Sequence, residues 1–123
     1  LHHLSRWVNG GAPPPSQPLI DFDGEGQVVR DKNGIALGGA RLPQAQAPVA
    51  MNSSAATTDD FAGRLRGSNR PFDAATLKSL YGDEERYLAK FRQAAADAVS
   101  AGVMLPRDVE PAVAEASAEY RRP

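Results

Sequence analysis

The stretch "DEERYLAKFRQAAADAVSAG", residues 83 to 102, decides the fold. Its apolar residues recur at helical spacing: Tyr87 with Leu88, Phe91, Ala95, then Ala98 with Val99. Asp83, Glu84 and Glu85 open it, where carboxylates oppose the positive end of a helix dipole, and Gly102 supplies the stop. The segment before it, "PFDAATLKSLYG" (71 to 82), reads as a shorter helix with Asp73 as N-cap, Leu77 and Leu80 as its apolar pair and Gly82 as its end. The segment after it, "PRDVEPAVAEASAEYRRP" (106 to 123), puts Val109, Val113, Ala116 and Tyr120 on one face. Pro111 fits that helix at its third position, where the missing N–H is one the helix never uses, and this makes Asp108 the N-cap. Residues 71–123 are therefore expected to form a helical hairpin or three-helix unit, joined by the apolar turn Val103, Met104, Leu105.

Upstream, the composition changes. The 123 residues include ten prolines and eleven glycines, most of them before residue 71, and 41% of the chain is apolar. Residues 12–70 read as a Pro/Gly-rich arm. "APPPSQP" (12 to 18) should run as a stiff polyproline-like connector. "QVVRDKNGIAL" (27 to 37) reads as a short β-hairpin, because Asn33-Gly34 suits a tight turn that needs positive φ. Residues 38–50 are too apolar for solvent and too broken by Gly38, Gly39, Pro43 and Pro48 for regular structure, and 48 to 69 read as a polar loop with weak periodicity; the resemblance given below implies that 38–50 is an extended strap. At the start, Leu1, Leu4 and Val8, widened by Trp7, mark an amphipathic helix that Asn9, Gly10 and Gly11 end. Residues 1–11 thus look like the last turns of a helix that begins upstream. Residues 71 to 120 are expected to hold helix in isolation, and 12 to 70 to be poorly ordered there. The fold class is mostly α with a short β-hairpin: a C-terminal helical unit plus an extended irregular arm.

Charge and motifs narrow the function. A net charge of −1 leaves no basic footprint for nucleic acid and no polybasic patch for a membrane surface. No run approaches the roughly 18 apolar residues of a membrane span. Without cysteine there is no disulfide and no thiolate metal site. His2 and His3 are neighbours and do not share a helix face, so they read as surface or packing residues and not as a chelating pair. "DFDGEG" (21 to 26) has the alternating acids of a calcium loop, but Lys32 stands where the closing Glu belongs, so a polar turn is the better reading. Asp59 and Asp60 point apart and read as solvated. Arg64, Arg66 and Arg70 form a modest cluster, more suited to tethering the loop on acidic surface than to holding an anion. There is no G-x-S-x-G elbow and no phosphate loop. By physics alone no catalytic constellation, metal site or cofactor site is present.

A resemblance adds to this reading. "NGIALGGARLPQAQAPVA" (33 to 50) resembles the G-x-A-x-GG-x-R-x-P-x-x-x-x-P-x-A segment of a family of large bacterial alpha/beta-hydrolase-domain proteins. "LHHLSRWVNGGAPPPSQP" (1 to 18) resembles that family's helix ending in Trp-Val, glycine and prolines. "RGSNRPFDAATLKSLYGDEERYLAKFRQAAADAVSAGVMLP" (66 to 106) resembles its glycine-Ser, Pro-Phe-Asp and Leu-Tyr helices. The resemblance implies that this chain is the C-terminal portion of an alpha/beta-hydrolase-like fold, with body and nucleophile upstream of Leu1. The parent would act on a small-molecule ester or amide, and this chain would be inactive alone. Its partner would be the upstream body of the same protein, with no cofactor. The strap residues Gly38, Gly39, Arg41 and Pro43 are the implied binding elements. The glycines would allow close approach to the body, Pro43 would hold the strap extended, and Arg41 would anchor it to a carboxylate of the body or to a bound acid. In this chain alone, the strap would then lack its groove. The polar stretch "MNSSAATTDDFAGRL" (51 to 65) departs from the family pattern, which has a cysteine or larger apolar residues there. Two further readings stand beside this one. One is a non-enzymatic helical interaction module with a flexible arm, docking through the apolar face of residues 71 to 120. The other is a small anion-binding protein using Arg41 and the Arg64 to Arg70 cluster.

Overall fold

The computed structural model describes residues 2–53 and 67–122. Three helices form its centre: α3 (Ala74–Tyr81), α4 (Glu84–Ser100) and α5 (Val109–Tyr120). Ahead of them lie α1 (His2–Val8), the one-turn α2 (Pro43–Gln46), and an antiparallel pair, β1 (Ala50–Ser53) with β2 (Ser68–Pro71), registered Ala50 to Pro71 and Met51 to Arg70.

The helices begin where the residues say they must. Asp73 accepts a hydrogen bond from Thr76 N at 2.7 Å, and Asp83 accepts one from Arg86 N at 2.8 Å, so each carboxylate satisfies an orphan N–H of its helix. Asp108 departs from expectation. It sits in a 3-10 turn (Pro106–Asp108), has helical φ and ψ and makes no capping bond. The fixed φ of Pro106 starts that turn early, and Asp108 N is spent on Leu105 O. Pro111 occupies the third position of α5, where its ring costs no hydrogen bond.

The core is aromatic. Tyr87 and Phe91 on α4 are each 1% exposed, and Leu77, Tyr81, Val113 and Ala116 close around them from α3 and α5. Tyr87 is the hub: it stacks on Tyr120 at 4.9 Å and meets the edge of Tyr81 at 5.0 Å, pairs worth about 0.5–1.5 kcal/mol each beyond the area they bury. Burial pushes the Tyr81 phenol up to about 12, and burial followed by the neighbouring Tyr81 raises Tyr87 further. Both rings therefore stay neutral across the physiological range. The antiparallel α4 and α5 are tied at the end opposite their joining turn. Arg121 donates through Nε to both carboxylate oxygens of Glu84 at 2.9 Å, and Ser117 Oγ donates to the same carboxylate at 2.7 Å.

In the described part of the arm, the segment expected to form a hairpin belongs to a closed figure. Segments 19–23, 27–31 and 35–39 bridge in a cycle, Phe22 to Val28, Arg30 to Ala36 and Gly38 to Ile20. At its centre three backbone groups form a ring: Asp21 N donates to Leu37 O (3.0 Å), Leu37 N to Val29 O (2.9 Å) and Val29 N to Asp21 O (2.9 Å). Equivalent residues are eight apart, so the chain repeats as LIDFDGEG, QVVRDKNG and IALGGARL over residues 19 to 42. The first two repeats end in the same turn. Asp23 Oδ1 accepts from the N–H groups of Glu25 and Gln27, and Asp31 Oδ1 accepts from those of Asn33 and Ile35. Gly26 and Gly34 close these turns at φ +78 and +77. The second turn is thus anchored by Asp31 with positive φ at Gly34 only, not the two-residue Asn33-Gly34 turn expected from sequence. Of the "DFDGEG" acids, Asp23 spends its oxygen on the backbone of a polar turn.

Candidate functional site

The strap residues come next, and the structure separates their tasks. Gly38 and Gly39 have φ of +68 and +71. A Cβ on Gly38 would stand 2.5 Å from Leu19 O, so the close approach made here is to the chain's own first repeat. Gly38 and Gly39 therefore turn the chain at left-handed φ, and Leu42 is extended. Pro43 then takes the first position of α2, where its ring is favourable, so the expectation that it holds the strap extended is corrected. Pro43, Ala47 and Pro48 are buried against the helical unit, and Tyr81 donates its hydroxyl to Pro48 O at 2.7 Å. The seat for residues 43–50 is therefore supplied by α3, α4 and α5, and the expectation that the strap has nothing in this chain to lie on is corrected too. Residues 50–53 also leave the loop reading behind by pairing with 68–71. Asn52 and Asn69 are joined side chain to side chain at 2.7 Å.

Arg41 bridges two parts of the fold. Its guanidinium donates to Ala36 O at 3.2 Å, in the eightfold-spaced repeats, and to Ala45 O at 2.9 Å, an orphan carbonyl of α2. Gln46 Nε2 returns a bond to Arg41 O at 3.2 Å. The arginine thus pins the ring of repeats to the segment that enters the core.

Beside this pin lies an open hollow of about 430 Å3. Ile35, Ala36, Ala40, Leu42 and Ala45 make it apolar, while Arg30, Gln44 and Asn52 are its polar members. Arg30 was not singled out in the sequence, and beside Val28 and Val29 in a non-alternating run no local signal marks it. The hollow contains a cation, two amides and no nucleophile or general base. It can bind and orient; it cannot by itself cleave a bond.

The other candidates resolve simply. His3 Nε2 lies 2.8 Å from Gly102 O and donates to it, while Gln17 donates to Ala101 O at 2.9 Å. These side chains dock α1 and the proline connector on the end of α4, so His3 is a packing residue. The stripe Leu4, Trp7, Val8 faces outward, at 49%, 53% and 76% exposure, and is no core stripe here, because no described element covers it. Asp59, Asp60, Arg64 and Arg66 lie outside the described residues, as do Leu1 and most of the polar stretch 51 to 65. Among the described residues no group of His, Asp and Glu could hold a metal ion, and no helix is long and apolar enough to cross a membrane.

No curated protein and no solved structure matches this chain. The family described as alpha/beta hydrolase domain matches residues 1–114, which takes in α1, the repeats, the strap, both strands, α3, α4 and the start of α5, and the chain belongs to that family.

Proposed function

We propose that this chain is a C-terminal accessory part of an alpha/beta-hydrolase-like protein, walling the substrate cleft of a body that supplies the nucleophile. The observation that carries the reading is the family match over residues 1–114, set against a sequence with no G-x-S-x-G elbow. The chemistry of the parent is acyl transfer on an ester or amide, with a serine attacking the carbonyl carbon and a histidine taking its proton. Neither His2 nor His3 serves that role, since His3 is engaged with Gly102 O and both stand on α1. The contribution of this chain is the outer stretch of the strap, Ala40 and Leu42, whose path Gly38 and Gly39 set while Arg41 holds it on the chain's own carbonyls. The outward stripe Leu4, Trp7, Val8 supplies apolar surface for contact with the body. The alternative of a helical module that docks through the apolar face of residues 71 to 120 is less well supported, because Ala47 and Pro43 already fill that face.

The test is activity-based labelling with a fluorophosphonate, together with hydrolysis of a p-nitrophenyl ester series. The chain alone should be neither labelled nor active, and the longer gene product that contains it should be both. Labelling of the 123-residue chain, with turnover, would end this reading.

A further inference from the structure

The hollow next to Arg41 has a composition that selects a ligand class. Its walls are apolar, and its single ionisable side chain is Arg30, with no carboxylate among its lining residues. Two other hollows of similar size differ. The one of about 410 Å3 beside α5 carries Asp108 and Glu115, and the one of about 350 Å3 beside α1 carries His2 and His3.

The polar groups are held in place. Arg30 donates Nη1 to Gly34 O at 2.8 Å, which fixes the guanidinium with one of its five donors and leaves an edge for a carboxylate. Asn52 Oδ1 already accepts from Asn69 Nδ2 at 2.7 Å, so its own amide N–H groups are the donors left for a ligand oxygen. Ile35 is 8% exposed and forms the rigid base, while Ala40 is exposed at the rim. Small side chains at Ala36, Ala40 and Ala45 keep the space open.

We infer that this hollow binds a monocarboxylate with an apolar body, its carboxylate on Arg30 and Asn52 and its hydrocarbon across Ile35, Ala40 and Leu42. The site lies wholly on this chain and stands whether or not the hydrolase reading does. It also differs from the Arg41 and Arg64 to Arg70 anion site considered from sequence, since Arg41 is committed to Ala36 O and Ala45 O.

The experiment is a titration of the 123-residue chain with octanoate, 1-octanol and acetate, followed by amide chemical shifts. Octanoate should shift Ile35, Ala36, Ala40 and Ala45 saturably. Octanol, with the same tail and no charge, should bind roughly tenfold more weakly, the difference expected of a charge-assisted hydrogen bond. Acetate should not saturate. Arg30→Gln should bring octanoate down to the affinity of octanol. Ala40→Trp, a change at an exposed position, should block both while the melting temperature holds. Equal affinity for octanoate and octanol, an unchanged octanoate affinity in Arg30→Gln, or saturable shifts confined to another face would each overturn the site. So would the absence of saturable octanoate binding.

Discussion

The repeats at 19–42 and the helical unit at 74–120 are stabilised by different physics. In the helical unit, side-chain burial dominates: Tyr87, Phe91 and Ala95 are at most 1% exposed and aromatic contacts radiate from one ring. In the repeats, backbone hydrogen bonds and turn geometry dominate. Leu19 and Phe22 face outward at 85% and 61% exposure, and Ile35 is the one buried side chain of the three segments. A core tolerates surface change and fails on lost volume. A ring of backbone bonds tolerates side-chain change and fails on φ. The contrast teaches that glycine and aspartate can organise a segment that apolar burial cannot.

The contrast is sharpened first in the core. Phe91→Ala should cost about 3–5 kcal/mol, since it removes a fully buried ring and leaves a cavity. Urea unfolding followed by far-ultraviolet circular dichroism should report it, and β1 and the strap should unfold with the helices because Ala47 belongs to the same cluster. A loss below about 1 kcal/mol would mean that the core collapses onto the vacancy, and would break the comparison.

The second test is aimed at the ring. Gly38→Ala places a Cβ against Leu19 O at a φ of +68, a strain of about 1–3 kcal/mol. Amide hydrogen exchange should show the protection of Asp21, Val29 and Leu37 falling while that of α4 is retained. If α4 loses protection in step, the two regions are one cooperative unit and the distinction fails.

The smallest effect concerns pH. Arg121, through its hydrogen bonds, and then Ser117 hold the Glu84 carboxyl below the usual carboxylate range. A group with a depressed folded pKa stabilises the fold above its unfolded value, and that contribution is lost as pH falls through the folded one. Melting temperature should therefore drop on the acid side, and Glu84→Gln should flatten that limb slightly, less so at high salt because the Arg121 end of the pair is exposed to solvent. A limb unaltered by the substitution would place the acid sensitivity elsewhere, with Asp73 next, its carboxyl lowered by its bonds to Thr76.

The helices were legible because each carries a local code, complete in α3 and lacking a capping bond in α5. Asp73 caps, Gly82 and Gly102 stop, and the apolar spacing between them has one period, while Asp83, read as a first-turn acid, is in fact the cap of α4. The repeats carried a code too, in Asp23 with Gly26 and Asp31 with Gly34, but their third copy has Gly39 and Leu42 at those places, which hides the period of eight. The pairing of β1 with β2 was not legible, since "AMNS" and "SNRP" have neither alternation nor β-branched residues. Only Phe72 N on Val49 O and the register beyond it make them strands. Of the site, Gly38, Gly39, Arg41 and Pro43 stood out as residues but not as tasks. Arg30 and Asn52 did not stand out, because a hollow is made by residues far apart in the chain.

What the sequence determined by itself, then, is set within one turn of backbone: three helices, the cap at Asp73, the stops at Gly82 and Gly102, and the absence of a serine elbow. The tertiary structure decided which surface each element meets. It turned Pro43 into the core, Trp7 out of it and Arg41 onto two carbonyls of its own chain. The reason is physical. Propensity and capping act over a few residues, whereas burial and hydrogen-bond partnership are settled only when segments distant in sequence compete for the same apolar seat.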